Sequence, residues 1–135
     1  MVTNCSRLLI GAAIVFLTTP TNAQDGAGRS TSDGVFTAAQ ARRGAVVNDE
    51  VCVECHEVEE FTGSFMDSWV GAPVSMLFED ISTLMPDDRP GALPSQQYAD
   101  VLAYIFELNG LPAGDRELST DMSELSTIII EWSGQ

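Results

Sequence analysis

The stretch VCVECHEVEE, residues 51–60, carries two of the three cysteines, the only histidine and four of the glutamates of a 135-residue chain. Two thiols two residues apart, with an imidazole directly after the second, can converge on one object from a single turn of chain. Three uses of a Cys-x-x-Cys pair fit this sequence less well. A structural zinc ion takes four ligands, and Cys52, Cys55 and His56 make only three, so a carboxylate would have to complete the set. A thioredoxin-type redox pair needs a strand–helix–strand setting that the flanking residues do not supply. A plain Cys52–Cys55 disulfide in an exported domain explains the thiols and leaves the histidine without a role.

With His56 included, the pattern is the attachment signature of a c-type haem. The two thiols add to the vinyl groups and the adjacent imidazole coordinates the iron. His56 is the only histidine, so a second protein ligand must be another residue type. Beyond residue 23 the soft candidates are Met66, Met76, Met85 and Met122. Met66 and Met76 lie beside apolar stretches, where a methionine is ordinarily core packing. Met85 differs, because LMPDDRPG (84–91) brackets it with Pro86 and Pro90. Proline fixes φ and removes a donor, so an extended, stiff loop is expected there, suited to holding a thioether over a metal.

Working outward, the spacing predicts an all-α fold. TAAQARRGAVV (37–47) reads as a helix, with Thr37 and Gln40 as a capping box and Phe36 as a staple. PVSMLFEDIS (73–82) places Val74, Leu77, Phe78 and Ile81 on one face, with Pro73 as the first residue. A third helix has Ser95 as its cap and Tyr98, Val101, Leu102 and Ile105 on one side, and Asn109-Gly110 ends it. A weaker pattern between Glu117 and Trp132 puts Met122, Leu125, Ile129 and Trp132 on one side of a fourth helix. There is no strand alternation of useful length and no repeat.

At the other end, Met1–Arg7 carries one positive charge, LLIGAAIVFL (8–17) is a short apolar run, and TTPTNA ends in Ala23. That layout predicts a secretory signal over 1–23, cleaved near Ala23, and export to the periplasm without lasting membrane insertion. Residues 24–35 are expected to form a flexible leader, 36–114 the main domain and 115–135 a C-terminal extension. The chain has six arginines, no lysine and 20 acidic residues, for a formal charge of −14. That sign excludes a basic nucleic-acid surface.

Helix, Cys-x-x-Cys-His, connecting helix, Met-Pro loop and a final tyrosine-bearing helix follow the order of class I cytochromes c. The chain from about Phe36 to Gly114 resembles that family. Its strongest echo, MPDDRPGALPSQQYADVLAYIFELNGLPAG, is similar to bacterial members that serve periplasmic dehydrogenases. The resemblance implies a small helical fold wrapped around one covalently bound haem c, held by Cys52, Cys55, His56 and Met85. It also implies that Gly44 lies where the first helix crosses the last, beside Tyr104 or Ile105. Two positions depart from the family: Asn48 stands where an aromatic residue is common, and Glu57 where glycine often follows the histidine.

With both axial positions filled by protein, substrate has no place on the metal, and the implied function is that of a single-electron carrier rather than an enzyme. The alternative is a haem enzyme or gas-binding protein with a displaceable distal methionine. Trp69, Phe61, Phe65 and Phe78 are candidates for the apolar shell or for plain core. Arg89 is the candidate partner for haem carboxylates, while Arg42 and Arg43 are expected to be solvated. Glu54, Glu57, Glu59 and Glu60 read either as a rim that selects redox proteins with a basic docking surface or as part of a uniformly acidic exterior.

Overall fold

The structure, a computed structural model, describes residues 28–134. The signal segment, its cleavage position and the first part of the expected leader, residues 24–27, lie outside the described residues. Two helix pairings hold the centre: α1 (Ala38–Val51) packs along α4 (Ser95–Leu108), and α3 (Val74–Leu84) also packs against α4. Short helices α2 (Ser64–Asp67) and α5 (Met122–Leu125) fill the connections. The protein is mostly helical, and a two-residue parallel sheet, β1 (Arg29–Ser30) with β2 (Ile128–Ile129), joins its ends.

The α1–α4 crossing depends on Gly44. A Cβ built there would overlap the Asp100 carbonyl group and come within 2.9 Å of Tyr104 Cβ. Of the two neighbours expected across the crossing, Tyr104 is the one in contact, and the Asp100 backbone lies closer still. Asp100 is fixed on its other side as well. Its carboxylate accepts from Arg43 Nε and Nη2, both at 2.9 Å, and from Gln96 Nε2 at 2.8 Å. Arg43 also donates to both oxygens of Glu117. The arginine expected to be solvated is therefore a bridge between α4 and the C-terminal segment. Its guanidinium pKa is raised, first by Asp100 and then by Glu117.

Around this crossing lies the core of Phe36, Ala41, Val47, Met66, Val74, Leu77, Phe78, Leu102, Ile105 and Phe106. Phe36 and Phe106 meet with ring centroids 6.2 Å apart. Helix caps differ in detail from their sequence reading. Thr37 Oγ1 accepts from Gln40 N at 3.1 Å, as a capping residue should. The Gln40 side chain does not reach back; it is fully buried, donates to the Leu118 carbonyl and accepts from Leu118 N. Pro73 and Pro94 occupy the cap positions of α3 and α4, so Ser95 is the first helical residue and makes no side-chain cap bond.

Both chain ends differ from expectation for one reason: they close the core together. Ser30 and Thr31 are buried, and Thr31 Oγ1 donates to the Glu131 carbonyl while accepting from Glu131 N. Residues 28–35 are thus built into the fold rather than forming a leader. In the C-terminal segment, only Met122–Leu125 is helical. Leu118, Leu125, Ile128 and Ile130 are buried, whereas Met122 is exposed. Thr127-Ile128-Ile129-Ile130 is a run of β-branched residues, which favours extended chain over helix. The run pairs with Arg29–Ser30 and, through Ile130, with the backbone of Gly71 and Ala72.

Candidate functional site

Cys52, Cys55 and His56 come together on one turn at the end of α1. Cys52 N–H still donates to the Asn48 carbonyl as the cap of that helix. The chain then tightens, and Cys55 N and His56 N both donate to the Cys52 carbonyl, at 3.1 and 3.0 Å. Two donors on one carbonyl fix the spacing of the two thiols and the imidazole. Both thiols are free. Cys55 is exposed; Cys52 is half-buried, and burial pushes its thiol pKa up.

The imidazole is held from one edge. His56 Nδ1 lies 3.1 Å from Glu60 Oε2, four residues on, which leaves Nε2 without a protein partner. The Phe61 ring stands beside it, with centroids 5.4 Å apart, and Phe65 meets Phe61 edge-on at 6.1 Å. Phe61 is itself anchored, because Asn109 Nδ2 donates to its carbonyl at 2.9 Å. Asn109, read from sequence only as a helix terminator, thus ties the end of α4 to the turn under the histidine. The Glu60 carboxyl is held below its ordinary value, chiefly by His56 and next by the backbone N–H of Glu57.

Met85 is positioned by different elements. It caps α3, with its N–H on the Ile81 carbonyl. Its own carbonyl accepts from Tyr98 Oη at 2.7 Å and from Gly91 N at 3.2 Å. Tyr98 Oη in turn accepts from Leu93 N at 3.3 Å. The loop is a compact turn closed at Gly91, whose φ of +74° suits glycine, rather than the extended segment that two prolines suggested. The hydrogen bonds from Tyr98 and Gly91, rather than an extended backbone, hold the Met85 carbonyl. Tyr98 lies on α4 and Asn109 caps its end, so α4 braces both the Met85 loop and the His56 turn.

The remaining methionines sort by burial. Met66 is fully buried core. Met76 is 54% exposed, on the outer face of α3 beside Trp69 and Leu84, so it is not the packing residue its neighbours suggested. Phe78 is core, and Phe61, Phe65 and Trp69 pack against the core while partly exposed. Arg89 is exposed and pairs with its neighbour Asp88 at 3.1 Å. Among the described residues no group of three or more His, Cys, Asp and Glu side chains converges as a metal-ion site, so the zinc reading lacks its ligand set. No described helix is long and apolar enough to cross a membrane.

The contacts of Glu60, Tyr98 and Asn109 were not expected from the sequence. The i, i+4 spacing of His56 and Glu60 was a usable signal. Tyr98 read as one more apolar position on α4, and nothing local showed that its hydroxyl would hold the Met85 loop. Comparison with protein-family models, with curated proteins and with solved structures finds no match to this chain.

Proposed function

We propose that the chain is an exported c-type cytochrome, a periplasmic single-electron carrier that binds one haem c covalently through Cys52 and Cys55, with His56 and Met85 as axial ligands. The observation that carries this reading is the turn itself: two free thiols and an imidazole with an uncommitted Nε2, fixed on one carbonyl. Exposed apolar groups add to it. Val53, in the Cys52–His56 turn, and Leu84 and Met85, at the methionine loop, are 43, 52 and 36% exposed, apolar groups of the kind an apolar cofactor would cover. The Asn48 side-chain amide, one turn before Cys52, is buried with neither end hydrogen-bonded, which marks this end of α1 as a place where a partner is missing.

Bound haem supplies reversible one-electron chemistry, and an imidazole–thioether ligand pair raises its reduction potential. The chain's own part is positional. The Cys52 turn fixes the attachment points, Glu60 and Phe61 set the plane of the imidazole, and Tyr98 and Gly91 hold the Met85 backbone so that the thioether need not be displaced. With His56 and Met85 both on the iron, the metal would have no free position for substrate. Complementary charge on a partner would speed a brief encounter rather than make a lasting complex.

The test is to express the protein where haem attachment is possible, extract it with acidified acetone and weigh it. One haem should remain on a chain beginning near Gln24. The ferrous wild type should not take up carbon monoxide near neutral pH, while Met85→Ala should keep its haem and bind the gas readily. A haem-free chain sinks the reading. Rapid carbon monoxide binding by the wild type replaces it with a gas-binding protein or haem enzyme.

A further inference from the structure

We infer that Glu60 is a positioning residue for His56, holding the imidazole in one tautomer and making its free nitrogen a stronger donor. The inference rests on the haem reading above and adds to it a residue that works against the methionine. A carboxylate can only accept, so the Nδ1···Oε2 contact at 3.1 Å requires the proton on Nδ1, which in the neutral ring leaves the Nε2 lone pair uncommitted. Without such a partner a neutral imidazole can carry its proton on either nitrogen.

The geometry around the pair is constrained on three sides. Glu60 Oε1 accepts from Glu57 N at 3.4 Å, so main chain holds one oxygen of the carboxylate while the ring holds the other. Phe61, next in sequence, stands against the ring, and Asn109 pins the Phe61 carbonyl from α4. The turn that carries Glu60 therefore cannot swing away without breaking a bond to a buried side chain. Glu54, Glu57 and Glu59 carry the same charge close by but make no hydrogen bond to the imidazole.

A carboxylate on the outer nitrogen raises the basicity of a ligating histidine. A more basic ligand favours ferric over ferrous iron, which lowers the reduction potential, whereas the thioether raises it. Glu60 thus sets the site below the potential its two ligands alone would give.

The experiment compares Glu60→Gln, Glu57→Gln and Glu59→Gln in the haem-loaded protein. All three remove one charge, but only the first changes the group bonded to His56. Glutamine keeps the side chain's length and one acceptor oxygen, which can stay on the His56 ring while the longer contact from Glu57 N is given up. Spectroelectrochemical titration should show Glu60→Gln shifting the ferric-to-ferrous preference about tenfold toward ferrous, which is about 59 mV upward for one electron. The two controls should move it by less than half as much, with the methionine–iron absorption band intact throughout. Because the chain has one histidine, the ferrous wild type also offers a direct check. Its single Nδ1–H should resonate far downfield and exchange slowly with water. Equal shifts in the three variants, or a freely exchanging Nδ1–H, overturn the inference while leaving the haem reading intact. A wild-type chain without haem overturns both.

Discussion

Gly44→Ala tests whether the α1–α4 crossing holds the fold together. At an ordinary helix-interior glycine, alanine adds about 0.5–1 kcal/mol of stability by restricting the unfolded chain and favouring helix. Here the new methyl group meets the Asp100 carbonyl group and lies 2.9 Å from Tyr104 Cβ. Neither atom belongs to a flexible side-chain end, so the helices themselves must separate. Opening a packed interface by roughly 0.5–1 Å forfeits a quarter to a half of the dispersion energy of each facing contact. Ala41, Val47, Leu102 and Ile105 are buried near this crossing, and the Arg43–Asp100 bonds span it. Overpacking of this kind costs about 1–3 kcal/mol and more where backbone must move, so a net loss of about 2–4 kcal/mol is expected. Each kcal/mol lowers the melting temperature of a domain this size by roughly 4–8 °C. Urea and thermal unfolding followed by circular dichroism should show that loss. Gly28→Ala, with nothing within 4 Å of the added carbon, should stay within about 0.5 kcal/mol of wild type. A Gly44→Ala protein that melts at or above wild type would refute the crossing argument.

Arg43→Ala leaves the Asp100 carboxylate, whose side chain is 6% exposed, with Gln96 as its remaining side-chain partner. A stability loss of about 1.5–3 kcal/mol is expected in urea, against about 0.5 kcal/mol or less for Arg89→Ala at an exposed pair; equal losses would contradict the assignment. Met66→Ala should cost about 2–5 kcal/mol, whereas the exposed Met76→Ala should cost under about 1 kcal/mol. The same unfolding experiment decides between them, and a reversed order would mean the two thioethers are misplaced. Electron exchange with a basic redox protein should slow as ionic strength rises from 0.01 to 0.1 M, over which the screening length falls from about 30 to about 10 Å. Exchange with a small neutral reagent should hardly change, and a flat response with both would remove the docking role of the acidic rim.

What the sequence made legible was whatever depends on neighbours one or two turns away. The faces of α3 and α4 followed from i, i+3, i+4 spacing, and their buried residues match it. Gly44 was readable for a different reason, since a glycine inside a helix lacks a local explanation and invites a distant one. Gln40 shows the limit. Its spacing from Thr37 satisfies a capping box, yet a fully buried amide needs two partners, and Leu118, 78 residues away, offers a complete backbone pair. The C-terminal segment failed likewise. Met122, Leu125, Ile129 and Trp132 line up at helical spacing, but Ile128 and Ile130 are the buried pair, at strand spacing. Four residues at that spacing do not outweigh a β-branched run, Thr127–Ile130, that finds its partner in Arg29–Ser30 about a hundred positions earlier. At the site, the turn of Cys52, Cys55 and His56 was legible because its chemistry is local, whereas the Tyr98 brace on Met85 depends on how α4 docks.

The distribution of charge joins the fold to the site. Arg29, Arg43, Arg89 and Arg116 each pair with a carboxylate, and three of the four bind residues in the C-terminal segment. From residue 44 to residue 88 the chain has no lysine or arginine and eleven acidic residues. That span includes the whole attachment turn. Carboxylates from separate elements also gather near the α1–α4 edge: the Tyr104 phenol pKa is raised by burial first, then by Asp49, Glu107 and Glu59. Three of the paired arginines therefore close onto the C-terminal segment, and in the span that carries Cys52, Cys55 and His56 only Asp88 has an arginine partner. Repulsion among like charges opposes the compact state. Apart from the Arg89–Asp88 pair, relief must come from mobile ions or an external basic surface, because residues 44–88 contain no lysine or arginine. Salt must then act in opposite directions on the two properties. It relieves the repulsion within the fold and screens the attraction that would bring a basic partner to the Cys52–His56 turn.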